Sequence, residues 1–297
     1  MRSIENILKK DRSLRGYSHI QIGGNADMVC EPHDRSELRA VIEHCNTQKI
    51  PFRVIGGGNN VFFADEGFRG CVICLRKCES NEILFFDNEV YASAAMSNSA
   101  FVKKCANKDL GGIEFIACIP GTLGGALMMN AGCKDHGSGE YHEIGSFVRS
   151  VDVLKHGQEV TIPATDITFS YRTSSLQGKI ILGARYLLQE KERNIILSNV
   201  KATMVTRNAV VPWGRKTLGS IFKNPGEGRP SAGELLDKVG MKGERRGDVV
   251  VSAQHANVFE NKGKGTAEDM WALIEHARKR VYEHFGIRME LEVEYIK

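Results

Sequence analysis

The chain has 297 residues, 42% of them hydrophobic and 26% charged, a balance that excludes long intrinsic disorder, coiled coil and collagen-like repetition. Forty Lys and Arg against 36 Asp and Glu leave a formal charge of +4 with no run of like charges, so no nucleic-acid partner is expected, and a locally basic pocket for anionic ligands is. The start, Met1-Arg2-Ser3-Ile4-Glu5-Asn6, has no apolar signal core, and no stretch approaches the roughly 18 apolar residues of a membrane span, which predicts a cytoplasmic protein with no membrane partner.

In chain order, Asp34-x-x-Glu37 reads as the cap of a helix carrying Leu38, Val41, Ile42 and Cys45 on one face, followed by the strand Phe52-Arg53-Val54-Ile55. Val72 to Leu75, Val90 to Ala94, Val151 to Leu154 and Val160 to Ile162 read as further strands, the last two joined by a hairpin turn at His156-Gly157. The polar segment Gln189 to Asn194 has no apolar period and marks an expected domain boundary. Beyond it, Ser231-Ala232-Gly233-Glu234 is a capping box for a short helix ending at Gly240. Thr266-Ala267-Glu268-Asp269 caps a longer helix in which Met270, Leu273, Ile274, Ala277, Val281 and Phe285 recur until Gly286. Met289 to Tyr295 alternates apolar and acidic residues and reads as a final strand with Glu290, Glu292 and Glu294 on one face. The fold class is α+β. The expected domains are 1–190, divided at about 75, and 195–297.

Eight cysteines in a chain this long, without an export signal, are expected to be reduced thiols. Cys71-x-x-Cys74 has no second C-x-x-C or His pair to complete a zinc site, and it lies in an apolar strand pattern, so no metal is expected.

Glycine is abundant, 31 residues, and clustered. Gly56-Gly57-Gly58-Asn59-Asn60-Val61 follows a strand, and successive glycines there let backbone N–H groups turn inward to cradle a phosphate. A dinucleotide loop of the G-x-G-x-x-G type fails, because Val61 stands where the third glycine belongs and Phe62 to Gly70 cannot supply a crossover helix. In the second cluster, Cys118 to Gly132, Pro120-Gly121 makes a turn. Gly124-Gly125-Ala126 either lets the backbone lie against an extended ligand or allows close helix packing. Two cradles suggest a dinucleotide.

These two clusters, with Met129-Asn130-Ala131-Gly132, Tyr171-Arg172, Gly219-Ser220-Ile221-Phe222-Lys223-Asn224-Pro225 and Ser231-Ala232-Gly233, resemble in that order the UDP-N-acetylenolpyruvoylglucosamine reductase family, also called UDP-N-acetylmuramate dehydrogenase. The resemblance runs from Ile22 to Glu292. Each motif alone is weak; six in one order are specific. It implies a noncovalent FAD in a PCMH-like (vanillyl-alcohol-oxidase-type) domain, a C-terminal α+β substrate-binding domain whose last strand returns to the active site, and a monomer. The implied reaction is reduction of the enolpyruvyl ether of UDP-N-acetylglucosamine by NADPH, in peptidoglycan precursor synthesis. Carried onto this chain, FAD binding falls on Gly56, Gly57, Gly58, Asn59, Asn60, Val61, Pro120, Gly121, Gly124, Gly125 and Asn130.

Hydride addition to the vinyl carbon leaves an enolate. Arg172 is the residue with a guanidinium fork suited to its carboxylate, Ser220 stands at the family's proton-donor position, and Glu292 falls at its catalytic glutamate, counted from Phe285. Tyr171, Arg207, Lys216, Lys223 and Asn224 are candidates for the UDP and sugar contacts, since a diphosphate calls for cations and amide donors. His255 is assigned either to packing or to supporting residues that touch the ligand. Asn59 where serine is usual, Tyr17-Ser18 where Asn-Thr is usual, Gln254 before His255, and Cys133-Lys134 depart from the family pattern. Between Leu188 and Gly219 there is no room for the extra tyrosine loop of some members, so the chain reads as the shorter type. Two other readings stay open: a different FAD oxidoreductase of the same fold, and a catalytically silent UDP-sugar binder.

Overall fold

The computed structural model describes residues 2–135, 139–212 and 214–297. The chain divides into two compact units. The first comprises residues 2–9, 28–57 and 70–207, and the second 10–27, 58–69 and 208–297.

The first unit contains a five-stranded antiparallel sheet in the order Gln158–Pro163, Val148–Lys155, Ile180–Leu187, Glu89–Ser93, Ile83–Phe86. The hairpin between its first two members turns at His156 (φ 50°) and Gly157 (φ 78°). Both residues take the left-handed conformation that a two-residue turn matched to strand twist requires. On one face of the sheet Val90, Ala92, Val151, Val153, Ile181 and Tyr186 form a core with Phe101, Val102 and Cys105 of helix Asn98–Ala106 and with Leu123 and Leu127 of helix Leu123–Met128. A separate core gathers Leu38, Val41, Ile42 and Cys45 of helix Arg35–Thr47 with Ile7, Cys71 and Ile73. Asp34 caps this helix by accepting from the Glu37 N–H at 2.8 Å, and Phe52–Ile55 runs parallel to residues 71–74. The connection between those two strands contains a strand, Val61–Phe63, and no helix, so it is not a βαβ crossover.

The expected boundary at 189–194 moves. Gln189–Glu190 pairs with Leu110–Gly111, and Arg193–Val210 is a helix whose inward stripe is Ile196, Val200 and Thr203. One of these three, Thr203, is polar, while Ile195, Leu197 and Val205 are exposed on the other side, so hydropathy conceals the period. The first unit therefore extends to Arg207, and two N-terminal segments belong to the second unit.

The second unit has an antiparallel sheet in the order Thr217–Ser220, Val258–Asn261, Val249–Val251, Arg245–Arg246. Helix Ala232–Lys238 begins with the Ser231/Glu234 capping box and helix Ala267–Phe285 with a Thr266/Asp269 box; the latter stops at left-handed Gly286. Met270, Leu273, Ile274, Ala277 and Val281 are fully buried against Ile20, Ile22, Phe62 and Phe259, and each large apolar side chain so buried contributes about 1.5–3 kcal/mol.

The expected final strand shrinks to Glu294–Ile296, which pairs in parallel with Val61–Phe63. Upstream, Leu291 makes one isolated bridge to Phe222, because residues 290–292 are bonded to the loop segment 221–223 and have no continuous partner strand. The alternation did track burial: Met289 and Val293 are buried, Glu290 and Glu294 exposed, and Glu292 half-buried.

Candidate functional site

Both glycine clusters meet in the first unit. The strand Phe52–Ile55 ends at Gly56, where a Cβ would stand 2.7 Å from Thr122 Oγ1 and 4.0 Å from the Gly125 nitrogen. Thr122 caps helix Leu123–Met128, its hydroxyl accepting from the Gly125 N–H at 3.5 Å, and Gly121 sits at φ 132°, which a side chain would strain. Gly124 has a different task. Its N–H donates to the Ala94 carbonyl at 2.8 Å and its missing Cβ makes room for Ala94 Cβ, 2.9 Å away, so close helix packing is the use of this glycine. Gly57 and Gly125 are exposed, as is Pro120, so the adjoining turns offer exposed backbone without a side chain at both glycines. That suits an extended anionic ligand such as the diphosphate of FAD.

Beyond Gly57 the loop enters the second unit. A Cβ on Gly58 (φ 73°) would overlap the Tyr17 carbonyl, and Ser18 Oγ donates to the Val61 carbonyl at 2.6 Å. Tyr17-Ser18 thus supports the loop. Asn59 is half-buried.

Arg172 stands at the tip of a tight hairpin between Phe169–Ser170 and Thr173–Ser174, with φ 55°. Its Nη2 donates to the Gly132 carbonyl at 3.0 Å and its Nη1 to Tyr141 Oη at 2.9 Å. Its Cζ lies 4.9 Å from the ring centre of Tyr171, which is exposed. A carbonyl and a hydroxyl thus orient two ends of the fork. Asn130, buried and at φ 43°, donates to Glu143 Oε2 at 2.7 Å and to the Ser170 carbonyl at 3.1 Å, and accepts from the Gly145 N–H at 3.1 Å. Its amide therefore ties the end of the second glycine cluster to the Arg172 hairpin. Asparagine tolerates this backbone region better than most residues.

In the second unit a bulge between Thr217 and Ser220, with Gly219 at φ 74°, breaks the register against Val258 and re-aims the half-buried Ser220. The next residues are pinned. Ile221 N–H donates to the Asn257 carbonyl at 2.9 Å, and the Glu292 N–H donates to the Ile221 carbonyl at 2.8 Å. Asn60 Nδ2 holds the Glu292 carbonyl at 2.9 Å, while the Asn60 carbonyl takes the Glu294 N–H. Ser220 and Glu292, 72 positions apart by number, are thereby brought to one strip of backbone.

The remaining candidates divide between the units. Lys216 is half-buried, with its carbonyl bonded to the Asn261 N–H; Lys223 Nζ lies 3.9 Å from Glu290 Oε2; and Asn224 Oδ1 accepts from the Ala232 N–H at 2.9 Å, at the start of helix Ala232–Lys238. Arg207 belongs to the first unit, in the last turn of helix Arg193–Val210. His255 packs on Gly233 and accepts from the Asn257 N–H at 3.1 Å. Tyr141, Gly132 and Asn257 are contacts the sequence did not announce, since a carbonyl acceptor or a buried asparagine has no motif of its own. Cys71 and Cys74 are buried, and the described residues contain no cluster of three metal-ligating side chains.

Residues 26–162 match the profile of an FAD binding domain, and residues 211–296 match that of the UDP-N-acetylenolpyruvoylglucosamine reductase C-terminal domain. The chain is 37% identical to UDP-N-acetylenolpyruvoylglucosamine reductase of Chloroherpeton thalassium, over 97% of this chain and 93% of that protein. It is 36% identical to the enzyme of the same name from Lachnoclostridium phytofermentans, over 100% and 96%. The chain belongs to the UDP-N-acetylenolpyruvoylglucosamine reductase family. A crystal structure of the reductase from Thermus caldophilus superposes with a TM-score of 0.81 at 30% identity, covering 98% of this chain and all of that one. Family membership makes the protein an FAD-dependent oxidoreductase with a PCMH-like FAD domain and a distinct C-terminal domain. No helix of the described residues is long and apolar enough to cross a membrane.

Proposed function

We propose that the protein uses NADPH to reduce the enolpyruvyl ether of UDP-N-acetylglucosamine to the lactyl ether of UDP-N-acetylmuramate, acting as a cytoplasmic monomer. The observation that carries this reading is the pinning of Ser220 and Glu292 to one backbone strip through the 2.8 Å bond from Glu292 N–H to Ile221 O. The glycine turns at Gly56 and Pro120–Gly125 fit FAD, which, once reduced by NADPH, would supply hydride from its N5. Gly57, Gly58, Asn59, Asn60, Val61 and Asn130 would complete its surroundings.

The chain's own residues then handle charge and the proton. Arg172, oriented by Gly132 and Tyr141, meets the enolate carboxylate with its fork. Ser220 gives its hydroxyl proton to the enolate carbon, a step that requires a site poor in water and neighbouring donors for the alkoxide. Glu292 polarises the enolate or relays the proton to the serine. Tyr171, Lys216, Lys223, Asn224 and Arg207 bind the uridine diphosphate and the sugar.

The test is direct. Purified protein should show the visible absorption of bound flavin, and its NADPH consumption should accelerate on adding UDP-N-acetylglucosamine enolpyruvate, with the lactyl ether as product. Flavin reduction with no effect of this substrate would favour another oxidoreductase of the same fold, and bound UDP-sugar with no NADPH oxidation a silent binder.

A further inference from the structure

Within the first unit, the Cys118 and Cys133 sulfurs lie 3.7 Å apart. Cys118 ends the 3-10 helix Glu114–Cys118 and is fully buried; Cys133 is in the strand Gly132–Lys134 and half-buried. Both thiols are directed at the same acceptor, the Phe115 carbonyl, at 3.0 and 3.4 Å. The other six cysteines are buried. We propose that Cys118 and Cys133 form a peroxide-oxidisable dithiol, and that its disulfide disturbs the seat of Arg172.

The separation is what makes the step feasible. A disulfide needs its sulfurs at about 2.05 Å, so the pair must close by roughly 1.7 Å, within reach of side-chain rotation and a small strand shift. Chemistry favours the pair as well: a hydrogen bond from the Cys133 thiol lowers the Cys118 pKa against the opposing effect of burial, the positive field of Arg207 assists, and the same bond with burial raises that of Cys133, so Cys118 is the thiolate of the pair. The stoichiometry closes with hydrogen peroxide as oxidant. Peroxide, reaching the pair past the half-buried Cys133, reacts first at the Cys118 thiolate, giving the sulfenic acid and hydroxide, which takes up the proton Cys118 had released as one water. The Cys133 sulfur then attacks that of Cys118 and expels hydroxide, which takes up the Cys133 thiol proton as the second water. Two thiols lose two electrons and peroxide gains them.

The consequence follows from the neighbours of Cys133. Gly132, the preceding residue, offers the carbonyl that takes Arg172 Nη2, and Cys133 pairs in the ladder with His142, next to the Tyr141 that takes Nη1. Drawing the Cys133 sulfur toward Cys118 moves both anchors of the guanidinium. The loss of turnover rests on the role proposed above for Arg172; the dithiol itself does not.

The experiment treats the intact flavoprotein with hydrogen peroxide after removal of reductant, alkylates the remaining thiols, and maps peptides by mass. The expected result is a protein about 2 Da lighter with a single Cys118–Cys133 cross-link, a turnover reduced at least tenfold, and recovery of both with dithiothreitol. Cys133→Ser should keep most of its turnover and form no cross-link on peroxide treatment. A sulfinic acid or a cross-link elsewhere, without the 118–133 peptide, overturns the proposal. So does the cross-link with unaltered turnover, for the coupling to Arg172. If the protein has no reductase activity at all, the peptide map still decides the dithiol, and only the reading of function fails.

Discussion

The side chain of Asn257 bonds to both backbone groups of Phe222: Oδ1 accepts its N–H at 3.0 Å and Nδ2 donates to its carbonyl at 2.8 Å. Asn257 is fully buried, as is Phe222. A primary amide matches a peptide group in spacing and polarity, so this side chain acts as a one-residue strand for the segment after Ser220.

Asn257→Ala should therefore cost about 2–4 kcal/mol, since it leaves two buried peptide groups without partners at about 1–3 kcal/mol each, with partial relief from water entry. Urea denaturation measures it. Because the same segment carries Ser220 and receives the Glu292 N–H, turnover should fall in the variant even well below its melting temperature. A variant as stable and as active as the parent would show that the amide is dispensable.

Gly56→Ala tests the glycine turns. The new methyl would stand 2.7 Å from Thr122 Oγ1, and Gly56 does not need a positive φ, so the effect is steric rather than conformational. Pushing Thr122 aside separates the two turns. Flavin affinity should drop at least tenfold, about 1.4 kcal/mol, as read by the ratio of visible to ultraviolet absorbance after gel filtration. Full flavin retention would remove Gly56 from the cofactor surface.

A pH effect is expected from Glu37. Its carboxylate accepts from Arg2 Nε and Nη2 at 2.7 and 2.6 Å, and from the His33 N–H at 2.8 Å. The Arg2 hydrogen bond, opposed by burial, holds its pKa down at about 2 against an ordinary 4.5. A folded pKa below the unfolded one means that this stabilisation is present above pH 4.5 and is lost as pH falls toward 2. The slope from this one group cannot exceed about 1.36 kcal/mol per pH unit. Glu37→Gln should flatten the melting temperature between pH 4.5 and 2 relative to the parent; an unchanged acid limb would assign it to other carboxylates.

Ser220→Ala should leave NADPH reduction of the flavin intact while lowering formation of the lactyl ether by ~10²–10⁴, the range for lost general acid catalysis. Single-turnover kinetics separate the halves. Product formation at the parental rate would take the serine out of the mechanism.

Local chemistry was the part of the fold most legible in the sequence. The caps at Asp34, Ser231 and Thr266, the strand Phe52–Ile55 and the turn at His156-Gly157 are read from short-range rules, because the residues that satisfy each backbone group lie within a few positions of it. Helix Asn98–Ala106 was missed although Ser97 caps it by accepting from Ala100 N–H; its short stripe of Phe101, Val102 and Cys105 lies in a segment without strong hydropathy contrast. Glu292 illustrates the limit. Alternation placed it on an acidic face and a family count selected it, but its tie to Ile221 and Asn60 is a long-range backbone bond that no periodicity encodes. The division of labour between Gly124, packed on Ala94, and Gly125, exposed, was equally out of reach, since both read as small residues in one run.

Arg172 is the residue for which side-chain shape should matter most. Its charge alone could come from a lysine, but a lysine ammonium is a point charge on a flexible stem and cannot hold the Gly132 carbonyl and Tyr141 hydroxyl from two ends of a planar group. Without that double seat the cation is no longer fixed where the enolate charge develops, and preorganised charge is what lowers the barrier. Arg172→Lys should accordingly reduce kcat by ~10²–10³, the scale of a lost oxyanion donor, while flavin reduction by NADPH stays within about twofold. Tyr141→Phe removes the hydroxyl acceptor and keeps the Gly132 carbonyl, so a smaller loss of about three- to tenfold is expected, roughly 0.7–1.4 kcal/mol. Stopped-flow measurement of both half-reactions distinguishes the cases. If Arg172→Lys turns over like the parent, fork geometry is irrelevant; if Tyr141→Phe matches Arg172→Lys in severity, the tyrosine itself touches the substrate and is more than a seat for the arginine.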